Sequence, residues 1–216
     1  EKYQQIIRDE EWKWLCKEIP ADSTFLDVGC GAGYAMQRAA EDLNCSCTGV
    51  DPEPGAHGVG RYLKDMVSDE KIQQGFAESI PFDDKKFDVV FSSHVLEHVN
   101  DEQKSLQEMK RVLKDDGVLI IGMPTAAMSW IRLFSQIVFL THVKVYEFVR
   151  GLFSGKAIMF FKRIFVIISH CYPREKANSI FYDLSHYRVK NWKKIVSGEF
   201  EIEKTLEPCL YPYPDY

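Results

Sequence analysis

One stretch near the start of the sequence constrains the fold more than any other, because its character changes twice within a few residues. Phe25–Val28 is predicted as a short buried strand, Gly29–Gly33 contains three glycines, and Tyr34–Ala40 has helix-forming composition. The glycines allow tight turning and close backbone approach, and the helix start offers unpaired N–H groups. A strand, a glycine-rich turn and a helix in this order predict an α/β domain with a ligand cradle at the turn.

Two acidic residues indicate which ligand suits this turn. Asp27 lies inside the first strand, two residues before the first glycine, and Asp51 ends the next apolar strand. Asp27 would repel a pyrophosphate, and Tyr34 stands where the dinucleotide fingerprint requires its third glycine. A carboxylate at the end of the second strand can hold a ribose diol. One acid for an amine, open backbone for a carboxylate and one acid for a ribose indicate S-adenosylmethionine rather than NAD.

Four separated motifs occur in order over roughly Ser23–Pro124: DVGCGAG, GVD, AESIPFDDKKFDVVFSSHVLEHV and RVLKDDGVLIIGMP. This ordered set resembles the class I S-adenosylmethionine-dependent methyltransferases. The nearest likeness is to the methyltransferase type 11, quinone-methyltransferase-like subgroup, which methylates small molecules including quinones, sugars and lipids. The resemblance implies a Rossmann-like, doubly wound and mostly parallel α/β sheet, and the residues after the predicted fifth strand add a helical insertion to it.

The residue pattern and the resemblance together predict a cofactor site at the carboxyl ends of the strands. Asp27 is expected to hold the amino end of S-adenosylmethionine, and Asp51 its ribose. Gly29 and Gly31 are expected to admit the ligand against open backbone. The resemblance places Ala77–Glu78 beside the adenine. The predicted cofactor-binding residues are Asp27, Gly29, Cys30, Gly31, Asp51, Pro52, Ala77, Glu78 and Ser93.

Two histidines are predicted as catalytic residues that face the methyl acceptor. His94 follows Ser93 at the carboxyl end of the fourth strand, which is expected to wall the methionine part of the cofactor. Ser185–Arg188 and Phe200–Thr205 resemble the family's late acceptor-side segment, where a histidine, here His186, precedes a helix and the sixth strand. An ordinary histidine titrates near pH ~6.5, which suits orientation or deprotonation of an acceptor. A histidine hydrogen-bonded in a turn is the competing interpretation for His186.

The segment His94–His98 also matches H-x-x-E-H, the signature of a class of zinc proteases. That interpretation requires both histidines on one exposed helix face with a third ligand nearby, whereas these residues follow a strand end. The six cysteines form no C-x-x-C pair, which predicts a reducing compartment. We therefore expect no metal site.

Hydrophobic periodicity predicts the remaining elements. Predicted strands cover 25–28, 46–50, 72–76, 87–93 and 118–122, and predicted helices cover 1–19, 34–43, 58–66 and the segment that begins at the cap Asn100–Glu102. The apolar face of the first helix is expected to comprise Ile6, Ile7, Trp12, Leu15 and Cys16. In the resembled family this helix packs over the cofactor pocket, so Tyr3 or Trp12 either contacts the ligand or serves ordinary packing.

Residues 125–177 depart from a minimal methyltransferase plan, so the predicted methyltransferase domain comprises 1–124 and 178–216. Within 125–175 the sequence carries seven basic and two acidic side chains, although the whole chain has a net charge of −5. Its apolar runs stay shorter than the roughly 18–20 residues that span a bilayer, so amphipathic helices with a basic face are expected. A lid over the acceptor pocket, a membrane-surface contact and a dimer interface remain open as roles.

The predicted activity is methyl transfer from S-adenosylmethionine to a small-molecule acceptor, with a lipid-linked, quinone or sugar-type molecule favoured. A catalytically silent S-adenosylmethionine-binding regulator and an NAD-dependent oxidoreductase remain as alternatives. The acidic net charge argues against a nucleic-acid partner. No signal peptide is visible, and we expect a cytoplasmic protein. Contact of 125–175 with a membrane surface would make it peripheral at the membrane. We expect either a monomer or a homodimer.

Overall fold

The structure is a computed structural model, and it describes residues 2–55, 71–127, 129–130, 134 and 185–206. The helix predicted over 58–66 and most of the predicted insertion 125–177 lie outside the described residues. The chain forms two compact units, Glu1–Met123 with Lys194–Leu210, and Pro124–Lys193 with Tyr211–Tyr216. The second unit thus includes residues that we predicted as part of the methyltransferase domain, and those domain bounds stay a prediction.

A parallel sheet forms the centre of the first unit. Its strands are β1 Thr24–Val28, β2 Ser46–Asp51, β3 Ile72–Gln74, β4 Phe87–Ser93 and β5 Leu113–Gly122. The strand order is β3-β2-β1-β4-β5, and every neighbouring pair is parallel. The chain moves outward from β1 to β3 and then continues on the other side of β1, so the order reverses between β1 and β4. This arrangement confirms the predicted doubly wound, Rossmann-like α/β class.

The helices described are α1 Lys2–Leu15, α2 Tyr34–Leu43, α3 Glu102–Val112 and α4 Val189–Val196, with a short 3-10 turn over Cys16–Glu18. Trp12 of α1 and Met36 of α2 share a buried cluster with Phe25 of β1 and Phe91 of β4. The Trp12 indole lies edge-on to Phe91 and donates to Asp42 Oδ2 at 2.8 Å. Trp12 therefore serves the packing of α1.

Helix boundaries follow local chemistry where the sequence supplies it. Asp101 precedes α3, and its side chain accepts a hydrogen bond from the Lys104 N–H, as expected of an N-cap. α1 ends four residues earlier than predicted, at Leu15, and the chain continues as the 3-10 turn. Ile6, which we predicted on the apolar face of α1, is 55% exposed. That face is consequently narrower than its composition indicated.

β5 begins at Leu113, five residues before the predicted start. Phe87 pairs with Leu113 and Val89 pairs with Val118, so the register shifts between these two pairs. The intervening Gly117 allows the shift, because a Cβ there would lie 2.9 Å from the Asp88 carbonyl oxygen. The Asp116–Gly117 dipeptide that predicted a turn therefore forms an irregularity within the strand.

The predicted sixth strand over Phe200–Thr205 is wrong, since residues 201–206 have no regular secondary structure. Glu199 accepts hydrogen bonds from Gln103 and Gln107, and Lys110 Nζ donates to the Glu199 carbonyl oxygen at 2.6 Å. These contacts hold the start of the segment along α3 rather than beside an edge strand.

Candidate active site

The turn after β1 has the backbone conformation that its glycines predict. Gly29, Gly31 and Gly33 have φ values of +77°, +50° and +79°, in the left-handed region that favours glycine. The Gly29 and Cys30 N–H groups both donate to the Val50 carbonyl oxygen, at 2.7 and 3.2 Å. These bonds join the turn to β2, and α2 begins directly after the turn.

Gly29 also permits a close contact across the point where the strand order reverses. A Cβ at Gly29 would lie 2.2 Å from Val95 Cγ2, on the turn that follows β4. The turns after β1 and β4 therefore touch at the carboxyl edge of the sheet. Ligands of open α/β sheets bind at such a reversal. This edge is the candidate active site.

The Cys30 side chain lies on the inner side of the turn, in the core. A Cβ at Gly49 would lie 2.7 Å from Cys30 Sγ, and burial raises the pKa of the Cys30 thiol well above its ordinary value. A protonated thiol in an apolar setting is a poor nucleophile. The predicted role of Cys30 in cofactor binding consequently depends on its backbone alone.

Asp51 connects the glycine turn to the loop after β2. Its carboxylate is 8% exposed, and it accepts hydrogen bonds from the Gly31 and Glu53 N–H groups, each at 2.8 Å. A carboxylate has about four lone-pair sites, so two remain for ribose hydroxyls. The neighbouring Pro52 is exposed, and its carbonyl oxygen accepts from Gln74 Nε2 at 2.8 Å.

Asp27 is a buried acid with little compensation. It is 4% exposed, and burial raises its pKa from 3.8 to about 7, although the Arg8 guanidinium opposes the shift. The Asp51 carboxylate raises the pKa further, and no hydrogen bond from the described residues lowers it. A ligand ammonium group beside Asp27 would give the buried carboxylate a positively charged partner.

Ser93, at the end of β4, is bonded to helix α1. Arg8 Nη1 donates to Glu11 Oε2 at 2.7 Å and to Ser93 Oγ at 3.1 Å, and Ser93 Oγ donates to Glu11 Oε1 at 3.1 Å. Sequence reasoning missed Arg8 and Glu11. Their opposite charges three residues apart, next to the apolar Trp12, were the available signal for a buried network.

The segment predicted to flank the adenine follows β3. Ala77 is buried, and Glu78 Oε1 accepts from the Asn100 N–H at 2.8 Å. The Ser79 N–H donates to the Phe76 carbonyl oxygen, which closes a turn over the segment. Because β3 pairs with β2, this turn lies on the same side of the site as Asp51.

His94 lies directly after β4, at the edge of the site. Its φ is +59°, its N–H donates to the Gly122 carbonyl oxygen at 2.9 Å, and its side chain is 21% exposed. Nδ1 lies 3.3 Å from Glu97 Oε1. His98 N–H donates to the Val95 carbonyl oxygen, so 94–98 form a turn and not the helix that a zinc-protease motif requires. In the described ranges no three His, Cys, Asp or Glu side chains could hold a metal ion.

His186 belongs to the second unit and precedes α4. Its ring is edge-on to the rings of Tyr187 and Trp192, with centroids 5.8 and 5.6 Å away. Trp192 Nε1 donates to the Pro124 carbonyl oxygen at 3.0 Å. The catalytic role of His186 stays a prediction. Among the helices that the structure describes, none has the length and apolar character to cross a membrane.

The chain is similar to known methyltransferases over the part that includes the glycine turn and most of the sheet. Residues 26–121 match the sequence model of the family described as "Methyltransferase domain". The chain is 32% identical over 116 residues to the ajmaline N-methyltransferase of Rauvolfia serpentina, covering 50% of this chain and 40% of the relative. It is 31% identical over 104 residues to the 2-methyl-6-phytyl-1,4-hydroquinone methyltransferase of Synechocystis, covering 48% and 33%.

A further relative is the tRNA U34 carboxymethyltransferase of Nautilia profundicola, 38% identical over 128 residues, which cover 56% of this chain and 43% of the relative. The crystal structure of YcgJ from Bacillus subtilis is 28% identical, with 54% of each chain covered and a TM-score of 0.42. The chain thus spans less than half the length of these three curated relatives. Residues 26–121 are therefore similar to the class I S-adenosylmethionine-dependent methyltransferases.

Proposed function

We propose that this chain transfers the methyl group of S-adenosylmethionine to a small-molecule acceptor and releases S-adenosylhomocysteine. The observation that carries the proposal is Asp27, a carboxylate buried at the strand reversal without a hydrogen bond from the described residues. When bound, S-adenosylmethionine supplies an electrophilic methyl group on a positively charged sulfur. Its ammonium end is positive and would pair with the Asp27 carboxylate, whereas a pyrophosphate is negative and would be repelled by it.

The other predicted residues complete a cofactor site of matching chemistry. Asp51 keeps lone pairs for a ribose diol after it has accepted the Gly31 and Glu53 N–H groups. The turn at Ala77–Glu78 offers backbone groups to the adenine edge. Gly29 and Gly31 present backbone without a Cβ at the start of α2. These roles are our assignments for the residues at the edge of the sheet.

Alignment and desolvation are the main contributions expected of the protein, because the leaving group is activated by its own charge. Orientation of two reactants can contribute about 7–11 kcal/mol. The glycine turn and the turn after β4 are packed against each other at Gly29 and Val95. His94 and His186 are each proposed as catalytic residues.

A lipid-linked, quinone or sugar-type molecule is the acceptor class that we propose. Two relatives, an ajmaline N-methyltransferase and a hydroquinone methyltransferase, support a small molecule. The third is named for tRNA, but the −5 charge of this chain disfavours binding to a phosphate backbone. We further propose that 125–177 serve as a lid or as a membrane-contacting segment, in a cytoplasmic, peripheral protein that is a monomer or a homodimer.

Calorimetry on the whole chain tests the cofactor. We expect binding of S-adenosylmethionine and S-adenosylhomocysteine and no binding of NAD. The D27N variant should bind the two sulfur ligands more weakly, and D115N is the matched control, because Asp115 is largely exposed and pairs only with an exposed lysine among the described residues. Tight binding of NAD instead would refute the proposal.

An acceptor panel tests the reaction itself. Release of S-adenosylhomocysteine would be followed with hydroquinones, catechols, sugars and secondary amines as acceptors, with and without lipid tails. Turnover on at least one class is the expected result. Binding of S-adenosylmethionine without turnover on any class would favour the catalytically silent regulator.

A further inference from the structure

Glu97 is a buried acid that the cofactor assignments leave unused. It is 0% exposed, and neither carboxylate oxygen has a hydrogen-bond partner in the described part of the chain. The imidazole of His94 lies beside it, with Nδ1 3.3 Å from Oε1, within ion-pair distance but outside good hydrogen-bond geometry. A buried carboxylate without full compensation is destabilising, so its presence needs a functional reason.

The turn that carries both residues is held by one internal hydrogen bond and by contacts with β5 and with the glycine turn. The His94 N–H donates to the Gly122 carbonyl oxygen of β5, and His98 N–H donates to the Val95 carbonyl oxygen. Val95 contacts the glycine turn so closely that only glycine fits at position 29. His94 itself has a φ of +59°, a conformation that costs energy in a residue with a Cβ. The protein thus maintains a strained backbone that presents His94 at the edge of the cofactor site.

We propose that Glu97 is a positioning residue that holds His94 as a general base, and that the methyl acceptor therefore carries a removable proton, as a phenol or hydroquinone hydroxyl does. This inference rests on the proposed methyl transfer. A carboxylate beside Nδ1 favours the tautomer with the proton on Nδ1, which leaves the Nε2 lone pair free for the acceptor. Such contacts are often long in a ligand-free site and shorten when the reactants bind.

The step that the pair serves is balanced. The acceptor oxygen forms a bond to the methyl carbon while the carbon–sulfur bond breaks, and the electron pair of that bond stays on sulfur. The hydroxyl proton passes to Nε2 of His94, and the imidazolium that forms is stabilised by Glu97. Because His94 is 21% exposed, it can return the proton to water afterwards. A tertiary amine or a thioether would need no base, so the pair distinguishes acceptor classes.

Nitrogen-15 NMR of the histidine rings tests the pair without any acceptor. The full-length chain would be labelled at histidine, and the H94N variant would identify the His94 signals. In the wild type we expect Nδ1 to be protonated and Nε2 to have the shift of an unprotonated nitrogen. The opposite tautomer in the wild type would overturn the proposal, whatever the variants do.

Glu97→Met then separates positioning from a structural role. Methionine has a similar volume and no charge, so the thermal midpoint should stay equal or rise. The His94 signals should move towards the Nε2-protonated tautomer, and E102Q, on the first turn of α3, should leave them unchanged. A variant that keeps the wild-type tautomer refutes the role. If E97M does not fold, the isosteric E97Q replaces it, and its Nε2-protonated fraction should also exceed that of the wild type.

Two further readouts distinguish this inference from the proposed function. E97M should bind S-adenosylhomocysteine as the wild type does, because Glu97 lies outside the cofactor assignments. Absence of binding in the wild type would instead refute the methyltransferase proposal. On a hydroxyl acceptor, E97M should lower kcat by about 10- to 100-fold with KM for S-adenosylmethionine unchanged. An unchanged kcat would overturn the role of Glu97.

Discussion

Two carboxylates of the site are both buried, with Asp27 4% and Asp51 8% exposed, but they differ in their surroundings. Asp51 accepts two backbone N–H groups, whereas no hydrogen bond from the described residues reaches Asp27. Burial consequently dominates at Asp27 and raises its pKa to about 7. Asp51 is a fixed part of the loop structure, and Asp27 is the residue whose charge state a ligand can change.

Cofactor binding should depend on pH through Asp27. Below about pH 7 the carboxyl group is largely protonated and cannot pair with an ammonium group. We expect the Kd for S-adenosylmethionine to fall as pH rises from 6 to 8, measured by calorimetry. In D27N this dependence should flatten, and a D27N profile parallel to that of the wild type would contradict the assignment.

The same residue predicts a change in stability. Because the folded-state pKa of Asp27 is raised above 3.8, its contribution to stability is present below about pH 4 and is lost as pH rises through about 7. At pH 8 D27N should therefore unfold with a free energy higher than that of the wild type, by at most about 4 kcal/mol. Urea unfolding at pH 4 and pH 8 measures it. A D27N gain that is equal at both pH values would contradict the buried-charge explanation.

Asp51→Ala should weaken cofactor binding by about 1–3 kcal/mol, because a charge-assisted pair of hydrogen bonds to the ribose is lost. Glu53→Ala is the matched control. It removes a neighbouring acid but keeps the backbone N–H that Asp51 accepts. Calorimetry on both variants measures the difference, and an unchanged affinity for D51A would remove Asp51 from the ribose site.

At the scale of elements, local chemistry predicted most of the sheet. β1, β2, β4 and α2 lie within one residue of their predicted bounds, because strand composition and turn residues agree there. Tertiary contacts decided the exceptions. Gly117 lies close to Asp88 and is part of β5, where we had predicted a turn. Contacts with α3 hold the chain at Glu199, where we had predicted the approach to a sixth strand.

The contact between two turns makes a stability prediction at this scale. Gly29→Ala combines a positive φ with a Cβ 2.2 Å from Val95 Cγ2, so it should cost about 2–4 kcal/mol in urea unfolding. Adding V95A removes the clash but not the strained φ. The double variant should therefore recover part of the loss relative to the sum of the single changes. Strict additivity would show that the two turns are not coupled.

For the molecule as a whole, the sequence predicted the cofactor site, and only the structure revealed the charged residues that pack beside it. The ordered motifs predicted the family and the cofactor, because they are local in sequence. Arg8, Glu11 and Glu97 look like surface charges in the sequence. Only the burial of the two acids and the bond from Arg8 to Ser93 place them at the site. The roles of His94, His186 and the cofactor-binding residues remain predictions, and the variants above test Asp27, Asp51 and the pairing of His94 with Glu97.

The uneven charge of the chain predicts that it binds to a negatively charged membrane surface. Residues 125–175 carry a surplus of five basic side chains within a chain of net charge −5. Each basic residue near an anionic bilayer contributes about 1 kcal/mol, and the attraction falls with salt. In flotation assays we expect the protein to rise with phosphatidylserine-containing vesicles at low salt and to stay behind with neutral ones.

Charge reversal locates that attraction in the sequence. K162E/R163E changes two adjacent basic residues of the stretch, and K193E/K194E makes the same change at two exposed positions on α4. Both variants have the same net charge, so a general electrostatic effect would weaken flotation equally. We expect the first to lose at least tenfold more vesicle binding than the second, since about 1.4 kcal/mol corresponds to tenfold. Equal losses, or flotation with neutral vesicles alone, would argue for a lid or a dimer interface and against a membrane contact.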